Sequence, residues 1–431
     1  MPQGGDLTGE PTLVLIDVNA MFASCAAAED PSLAGRPLVV AGNPDDRRSI
    51  VLTASYEARS FGIRTAMMLR QALALCPEAV VVPPDHDLYR AYHERLRQVL
   101  LSFTPVVEDI SIDECYLDLA GCPGIDRGPL EMARTIREAL RVGTGLVASL
   151  GVAPTRFLAK MAASLAKKEP DGVRLLHLDD VPGSLYGLPI GEFHGIGPKT
   201  EERLRSRGVR TIGDLAAMDE PALRLALGEA GPALAGELKG LGSARVASLP
   251  GRAKSISHEL TFASDIVNRE DLRPVILALS DQVAARLRRE ALVARTVTLR
   301  LKDASFREHS RSQTVREGMR FAADLYRTAL GLLSRMPRNA LPCRLAGVAA
   351  TSLDEAEGEP QTLFSSGPRR EEDLARTVDS IRERFGEGAV LPAGVLGSAG
   401  EDLYDKALFG SSFRTRGLGS ARQGKGARHG E

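Results

Sequence analysis

Short apolar runs alternate with longer segments whose apolar positions recur every three or four residues. The apolar run at residues 13–16 is followed by Asp17, a pattern typical of a buried strand with a carboxylate at its C-terminal tip. Further apolar runs predict strands at residues 36–41, 49–54, 79–82, 106–119 and 146–152. Helical patterns occupy residues 21–28, 56–61, 69–75, 86–103, 129–140 and 154–168. Strands that alternate with helices predict a mixed α/β layer.

The second half of the chain has a different order of elements. Residues 255–262, 294–301, 311–315 and 343–352 are predicted strands, and residues 271–290, 320–334 and 373–385 are predicted helices. Pro and Gly near residues 249–254 are typical of a linker. The Gly/Ser/Arg-rich stretch 393–431 is expected to be disordered.

Length and composition limit the class of protein. The 431 residues are enough for several domains, and an apolar content of 43% supports a sizeable core. No run of about eighteen apolar residues occurs, so neither a membrane span nor a membrane partner is expected. Residues 1–10 lack a signal-peptide core, which favours a cytoplasmic location. The five scattered cysteines favour buried, reduced thiols over a zinc site or disulfides.

Charge is unevenly distributed, although the formal net charge is only −1. Residues 252–352 carry 18 Lys and Arg against 10 Asp and Glu, whereas residues 354–387 carry 5 Arg against 10 acids. A basic block is the electrostatic footprint of a partner with a phosphate backbone. A solvated, Arg-rich surface is the alternative.

Candidate chemistry lies in three acidic residues of the first half. Asp113 and Glu114 are adjacent in a strand-like stretch, so both reach one site only if the backbone turns there. A solvated edge strand would account for this pair alone. Asp17 adds a third carboxylate, and hard oxygen ligands without nearby His or Cys favour Mg²⁺ or Mn²⁺. Two such ions roughly 4 Å apart would serve a phosphoryl transfer.

Residues 193–200, FHGIGPKT, resemble the turn of a helix-hairpin-helix. The backbone N–H groups around Gly195 and Gly197 would face a phosphate at the start of the next helix, with Lys199 beside them. Such a turn holds DNA without reading its sequence. A plain corner between two helices is the alternative.

Three motifs occur in order along the chain: DVNAMFAS at 17–24, TASYEAR at 53–59 and SIDE at 111–114. Together they resemble the Y-family translesion DNA polymerases, most closely the bacterial polymerase IV branch, over residues from about 11 to about 390. Asn19 and Met21 depart from that branch, where an Asp and an aromatic residue are usual. Because Asn19 is similar to polymerase V-like members, the subfamily stays open.

The resemblance implies an α+β multidomain, right-hand polymerase. Its mixed α/β palm would span residues 11–175, with small fingers inserted at about 31–78. A helix-hairpin-helix thumb would span 176–248, a linker 249–255, and a little finger with a β-sheet and two helices 256–392. Residues 393–431 would form a disordered tail.

The resemblance also assigns the catalytic centre. Asp17, Asp113 and Glu114 would be catalytic and would ligate two Mg²⁺ ions, or Mn²⁺, together with the Val18 carbonyl. The incoming dNTP would be contacted by Thr53, Tyr56, Arg59 and a lysine before Pro-Asp-Gly. That segment is longer here than in relatives, so Lys167 is preferred while Lys168 stays possible.

Phe22 falls where the family has an aromatic residue that excludes the ribose 2′-OH. Ile50, Leu52 and Ala66 would border the nascent base pair loosely, which lowers discrimination between right and wrong pairs. The sequence has no separate run of acidic residues that would indicate a proofreading exonuclease domain. Error-prone synthesis past damaged template is therefore predicted.

Further contacts to DNA and to a partner are expected in the last third of the chain. One sheet face of the little finger would lie along DNA and carry Arg295, Arg300, Arg307 and Arg311. The tetrapeptide QTLF resembles a shortened motif for binding the replication sliding clamp, through Gln361, Leu363 and Phe364. The protein is expected to act as a monomer on primed template DNA.

Two other functions compete with a polymerase. A non-catalytic relative could act as a DNA- or clamp-binding adaptor of a mutagenesis complex, but all three carboxylates are present. A repair nuclease or DNA-binding module would account for the hairpin and the basic block. It would give no role to Tyr56 and Arg59.

Overall fold

The structure is a computed structural model that describes residues 11–44, 48–247, 253–356 and 368–396. The chain divides into two compact units, which comprise Met1–Pro44 with Ser49–Gly251, and Asp45–Arg48 with Arg252–Glu431. The strands described in the first unit are, in chain order, β1 (Leu13–Val18), β2 (Leu38–Ala41), β3 (Val51–Ala54), β4 (Val80–Val82), β5 (Val107–Asp109), β6 (Glu114–Asp118), β7 (Ala148–Ala153) and β8 (Val173–Leu175).

Helices cover these strands and extend the first unit beyond them. In chain order they are α1 (Met21–Glu29), α2 (Tyr56–Ser60), α3 (Leu69–Leu75), α4 (His86–Leu101), α5 (Pro129–Thr144), α6 (Arg156–Ala166), α7 (Val181–Leu185), α8 (Pro198–Arg205), α9 (Ile212–Ala216), α10 (Glu220–Leu227) and α11 (Gly231–Glu237).

A five-stranded sheet, in the order β5-β6-β1-β7-β8, forms the centre of the first unit. Strand β1 is buried along its whole length and pairs antiparallel with both β6 and β7, while β7 and β8 are parallel. Apolar residues fill both faces of β1: Val14 and Ile16 contact one cluster, and Leu13 and Leu15 contact another. The predicted mixed α/β layer is confirmed, and the buried strand ending near Asp17 lies at its centre.

Helix α6 lies unusually close to strand β7. A Cβ atom at Gly151 would come within 2.1 Å of the Ala159 carbonyl oxygen and the Ala163 nitrogen. Only glycine allows this approach, because no real Cβ reaches backbone atoms so closely. The sheet thereby fixes the helix that carries Lys160 and, at its C-terminal cap, Lys167.

A three-stranded sheet, β3-β2-β4, is inserted between α1 and α4. Strands β2 and β3 are antiparallel, and β2 and β4 are parallel. The Ser55 hydroxyl caps α2 by accepting from the Ala58 N–H at 3.3 Å, which fixes where this helix begins.

The second unit contains the sheet β11-β10-β12-β9 and three described helices. Its strands are β9 (Ser255–Ile266), β10 (Leu292–Asp303), β11 (Glu308–Met319) and β12 (Cys343–Glu355), and its helices are α12 (Leu272–Arg289), α13 (Ala322–Ser334) and α14 (Pro368–Phe385). All strand pairs are antiparallel. Helices α12 and α13 bury one face of the sheet in a single apolar core.

Most predicted elements are present with end shifts of a few residues. Strand β8 was not predicted, and β11 extends well beyond the predicted residues 311–315. All five cysteines are free and buried, as expected. Of the helices described, none is long and apolar enough to cross a membrane.

Candidate active site

Two of the predicted carboxylates lie on neighbouring strands of the central sheet. Asp17 on β1 is directly opposite Glu114 on β6. Residues directly opposite each other in an antiparallel pair have side chains on the same face, about 5 Å apart at Cβ. Asp17 is 7% exposed, so its carboxylate is largely removed from water. An ionised carboxylate in such a place requires a compensating positive charge.

Two lysines supply positive charge to these carboxylates. The Lys160 ammonium contacts Asp17 Oδ2 at 3.3 Å and donates a short hydrogen bond to Glu114 Oε1. The Lys167 ammonium donates to Asp17 Oδ2 at 3.0 Å. Sequence analysis selected Lys167 but missed Lys160, which looked like an ordinary polar position on an amphipathic helix. The two lysines are seven positions apart, a spacing that places both on one helix face and was the available signal.

The carboxylates control the protonation of Lys160. Desolvation by burial, the largest influence, acts to lower its pKa. The hydrogen bond to Glu114 and the charges of Asp17 and Glu114 outweigh that effect, so the pKa of the Lys160 ammonium is raised above its ordinary value. Lys160 is therefore a cation throughout the neutral pH range.

The third carboxylate, Asp113, lies in the turn just before β6. Its carbonyl oxygen accepts from the Val18 N–H at 2.9 Å, so the two backbones meet beside the Asp17–Glu114 pair. The Asp113 carboxylate itself accepts from the Ser111 hydroxyl. The backbone does bend before Glu114, where the extended strand begins, as a shared site for the two carboxylates requires.

The donor chemistry of this site fits a hard divalent cation. The three carboxylates offer oxygen ligands of the kind that Mg²⁺ and Mn²⁺ prefer, and the contacts of Lys160 mark a point where positive charge is favourable. Among the residues that the structure describes, no three His, Cys, Asp or Glu side chains are already gathered closely enough to hold a metal ion. The structure thus joins Asp17 and Glu114 through Lys160 and brings Asp113 near them by its backbone.

Phe22, which follows Asp17 by five positions in the chain, is one of three rings that pack together. Its ring is stacked on Tyr89, with centroids 4.1 Å apart and planes inclined by 7°. His86 lies edge-on to Phe22 at 6.0 Å and to Tyr89 at 5.7 Å. Desolvation lowers the pKa of His86, so the imidazole stays neutral at neutral pH. Tyr89 and His86 lie in the first turn of helix α4, for which sequence analysis predicted only a helical pattern.

The predicted triphosphate contacts lie on β3 and α2. Thr53 is buried in β3, whereas Tyr56 and Arg59 are exposed on α2. The Arg59 guanidinium lies over the Tyr56 ring, 5.0 Å from its centroid, and its Nε donates to the Ala54 carbonyl at 3.0 Å. The two side chains therefore project together from α2.

The glycine turn between Phe193 and α8 has the geometry expected of a hairpin. Gly195 has a φ of 98°, and Gly197 is the extended cap residue before Pro198 begins the helix. Phe193 is buried, and its ring packs on Phe157 of α6 with centroids 4.7 Å apart. Lys199 is exposed in the first turn of α8. The backbone N–H groups of this helix start are thus presented beside an exposed cationic side chain.

The arginines predicted on one sheet face of the second unit do not all share it. Arg300 lies on the face away from α12 and α13, between Glu259 at 2.7 Å and Glu308 at 2.6 Å. Arg311 is opposite Leu299, a fully buried core residue, so its side chain leaves the sheet on the helix-covered side. The expectation of a common face is wrong for Arg311, because the strand register puts it out of phase with Arg300.

The remaining two arginines are engaged by acids. Arg295 donates to Asp354 at 2.7 Å, and Arg307 in the β10–β11 turn donates to Asp303 at 3.1 Å. The proposed clamp-binding residues Gln361, Leu363 and Phe364 lie outside the residues that the structure describes.

Comparison with protein families gives matches along most of the chain. Residues 16–164 match the impB/mucB/samB family, residues 179–209 match the IMS family HHH motif, and residues 253–363 match the impB/mucB/samB family C-terminal domain. The first match contains all three carboxylates, and the second contains the glycine turn.

Individual relatives are similar to this chain over most of its length. DNA polymerase IV of Moorella thermoacetica is 38% identical over 91% of this chain and 98% of its own. DNA polymerase IV 1 of Bacillus subtilis is 37% identical over 86% of this chain and 90% of its own. Among solved structures, a Y-family DNA polymerase chimera of Dbh and Dpo4 is similar at a TM-score of 0.71. It is 23% identical and covers 80% of this chain and 99% of its own.

Proposed function

This chain belongs to the impB/mucB/samB family, the Y family of DNA polymerases, and from that premise we propose that Asp17, Asp113 and Glu114 are its catalytic carboxylates. It is a template-directed, error-prone DNA polymerase that incorporates dNTPs during lesion bypass without proofreading. The observation that carries the assignment is the register of β1 and β6, which sets Asp17 opposite Glu114 within the family match.

The metal ligands are proposed to be these three carboxylates and the Val18 carbonyl, with Mg²⁺ as the physiological ion and Mn²⁺ as a substitute. Two bound divalent ions would lower the pKa of the primer 3′-OH and neutralise charge on the leaving pyrophosphate. The protein holds Asp17 on a buried strand and Asp113 and Glu114 at a turn. This arrangement fixes their backbones before substrate arrives.

Four residues are proposed to bind the incoming triphosphate. Arg59 offers a forked donor and Tyr56 a hydroxyl, and both project from α2. Thr53 lies on the adjacent strand. Lys167 is proposed to contribute its ammonium, which donates to Asp17 at 3.0 Å. Lys167 is favoured over Lys168 because this contact brings its ammonium to the catalytic carboxylates.

Phe22 is proposed to exclude ribonucleotides. Its stacking on Tyr89 at 4.1 Å holds the ring in one plane. A 2′-OH directed against that fixed ring would lose its hydration without gaining a hydrogen bond. Deoxyribose carries no such group and is accepted.

DNA is proposed to be held by both units without sequence readout. The turn at Gly195 and Gly197, with Lys199, would bind backbone phosphates. Arg295, Arg300 and Arg307 would contribute from the second unit, and Arg311 from its edge strand. In this proposal residues 11–175 are the palm, with fingers at about 31–78, 176–248 are the thumb, and 249–255 are the linker. Residues 256–392 are the little finger.

A cellular setting follows from the same family membership. The enzyme is proposed to act as a monomer in the cytoplasm on primed template DNA. The relatives that support this location are DNA polymerases by name. Binding to the replication sliding clamp through Gln361, Leu363 and Phe364 is proposed on sequence alone. Deletion of these residues should abolish stimulation of synthesis by the clamp and leave clamp-independent synthesis unchanged.

The proposed function is tested by primer extension on an intact template and on a template with an abasic site. We expect dNTP- and Mg²⁺-dependent extension on both. The mismatched nucleotide at the 3′ end of a primer should not be excised, since the enzyme does not proofread. Failure to extend any primer, with DNA binding intact, would contradict the proposal and favour the adaptor function.

A further inference from the structure

Lys160 holds the two facing catalytic carboxylates together. Its ammonium lies 3.3 Å from Asp17 Oδ2 and is hydrogen-bonded to Glu114 Oε1. The side chains of Lys160, Asp17 and Glu114 are only 16%, 10% and 24% exposed, so the contacts are poorly screened by water. Charges that are shielded from solvent in this way interact much more strongly than surface ion pairs.

The backbone that carries Lys160 has little freedom to move away. Helix α6 contacts β7 at the Gly151 approach, where even one added carbon atom would clash with Ala159 and Ala163. On another side, Phe157 of the same helix packs against Phe193. Any change in the position of the ammonium must therefore come from rotation of the lysine side chain.

A divalent cation and this ammonium require the same carboxylate oxygens. An ammonium satisfies the pair with three N–H donors, whereas Mg²⁺ or Mn²⁺ requires direct ligation by the oxygen lone pairs. Two cations this close would also repel each other strongly. Occupancy of the carboxylates by one therefore opposes occupancy by the other.

We propose that Lys160 is the resident counter-cation of Asp17 and Glu114, and that a divalent ion binds there only when the Lys160 ammonium has moved away. This inference rests on the proposed assignment of Asp17 and Glu114 as metal ligands. It gives Lys160 a role in the proposed site: the ammonium holds the two carboxylates in place and lowers their affinity for a divalent ion. Lys160 is thus a positioning residue that acts through Asp17 and Glu114.

The test is Mn²⁺ binding to the DNA-free, full-length protein, measured from the electron paramagnetic resonance signal of free Mn²⁺. Lys160→Met should lower the Kd for Mn²⁺ by about tenfold, because the ammonium that contacts both Asp17 and Glu114 is gone. Lys167, which contacts Asp17, is unchanged in this variant. Lys160→Arg keeps a cation and should bind Mn²⁺ within about twofold of wild type. Lys168→Met is the matched control: it removes a charge from an exposed side chain near the end of the same helix and should leave the Kd unchanged.

Two results separate this inference from the site assignment. If Asp17→Asn and Glu114→Gln fail to weaken Mn²⁺ binding, the proposed metal ligands are wrong. If they do weaken it, but folded Lys160→Met binds Mn²⁺ no more tightly than wild type, the counter-cation role is wrong. Circular dichroism establishes the folded state. Should Lys160→Met not fold, Lys160→Gln is used, for which the same tighter binding is expected.

Discussion

Two single residues, Tyr89 and His86, set the plane of the Phe22 ring. Tyr89 covers one face of the ring, and the His86 edge limits its rotation. A ring with one allowed orientation is a better steric barrier than one that can turn aside, because the substrate cannot displace it cheaply.

Replacement of Phe22 by Ala should therefore raise the efficiency of rNTP relative to dNTP incorporation by roughly 100-fold. Tyr89→Leu should raise this relative efficiency less, because the Phe22 ring remains but loses the ring stacked on it. Steady-state kcat/KM for paired dNTP and rNTP substrates gives this ratio. Phe385→Ala, at an exposed position of the second unit, is the control. If Phe22→Ala leaves the ratio of rNTP to dNTP efficiency unchanged, Phe22 does not exclude ribonucleotides.

Asp303 makes the stability of the second unit dependent on pH. A hydrogen bond from His309, with further bonds from the Arg307 and Ser305 N–H groups and the Arg307 charge, lowers the pKa of Asp303 to about 2. In an unfolded chain an aspartate titrates at about 3.9. The folded pKa is the lower one, so this stabilisation is present above about pH 4. It is lost as the pH falls through about 2.

Asp303→Asn keeps the shape and removes the charge, so it should lower the melting temperature at pH 7. The difference from wild type should shrink steadily between pH 4 and pH 2. Thermal unfolding followed by circular dichroism across this range measures it. A difference that is the same at pH 7 and pH 2 would show that the Asp303 charge does not stabilise the fold.

Single residues also show where sequence patterns stop being informative. The Asp17 carboxylate was predicted correctly at a strand tip, because an acid directly after four apolar residues is typical of the end of a buried strand. Lys160 and Tyr89 were missed as site residues because each also fits an ordinary helix pattern. Their roles depend on which strand or ring lies opposite, and local periodicity does not encode that.

Helix α6 and strand β7 act as one rigid element. A Cβ atom added at Gly151 would lie 2.1 Å from backbone atoms of α6, so this position has no space for a side chain. Helix α6 carries both Lys160 and the Phe157 ring that contacts Phe193. The precision of the contacts that Lys160 makes with Asp17 and Glu114 thus depends on a position that bears no functional group.

Gly151→Ala should destabilise the first unit by about 3 kcal/mol or more, because strand and helix must separate to admit the methyl group. Chemical denaturation gives the change in unfolding free energy. Gly183→Ala in α7 has no atom within 4 Å of the added carbon and is the matched control, expected to be neutral. Equal stability of the two variants would mean that the α6–β7 approach relaxes easily.

The boundaries of helices and strands were predictable where the hydrophobic pattern was long. The register between paired strands was not predictable. The predicted strand at 146–152 and helix at 154–168 closely match β7 and α6. Strand β8 has only three residues and pairs in parallel, which gives almost no periodic signal. The face of Arg311 was mispredicted because the turn between β10 and β11 fixes their register, which places Arg311 opposite the buried Leu299.

Charge and DNA binding belong to the scale of the whole molecule. A net charge of −1 does not suggest a DNA-binding protein, yet residues 252–352 carry an excess of basic groups. Many of these arginines are already paired with acids, as Arg300 is with Glu259 and Glu308. Affinity for DNA is therefore expected to depend on cations without such partners as much as on total charge.

Lys199→Ala should weaken DNA binding for every sequence tested and reduce the slope of log Kd against log salt concentration by about one. Fluorescence anisotropy with a primed template, at several salt concentrations, measures both. Lys239→Ala, an exposed lysine of the same unit, is the control and should leave the slope unchanged. The phosphate-binding role of the hairpin is rejected if both variants retain the wild-type slope.

The central claim is that Asp17, Asp113 and Glu114 form a catalytic centre for nucleotidyl transfer. Its most direct test is the single-turnover rate of one dNTP insertion by Asp17→Asn, Asp113→Asn and Glu114→Gln, with DNA affinity measured in parallel. Asp118→Asn is the matched control, since this carboxylate on the same strand only caps the Ala120 N–H at 2.9 Å. Each of the three variants should lose roughly 10³-fold in rate at unchanged DNA affinity, while Asp118→Asn inserts normally. Wild-type insertion rates in the three variants would contradict the account.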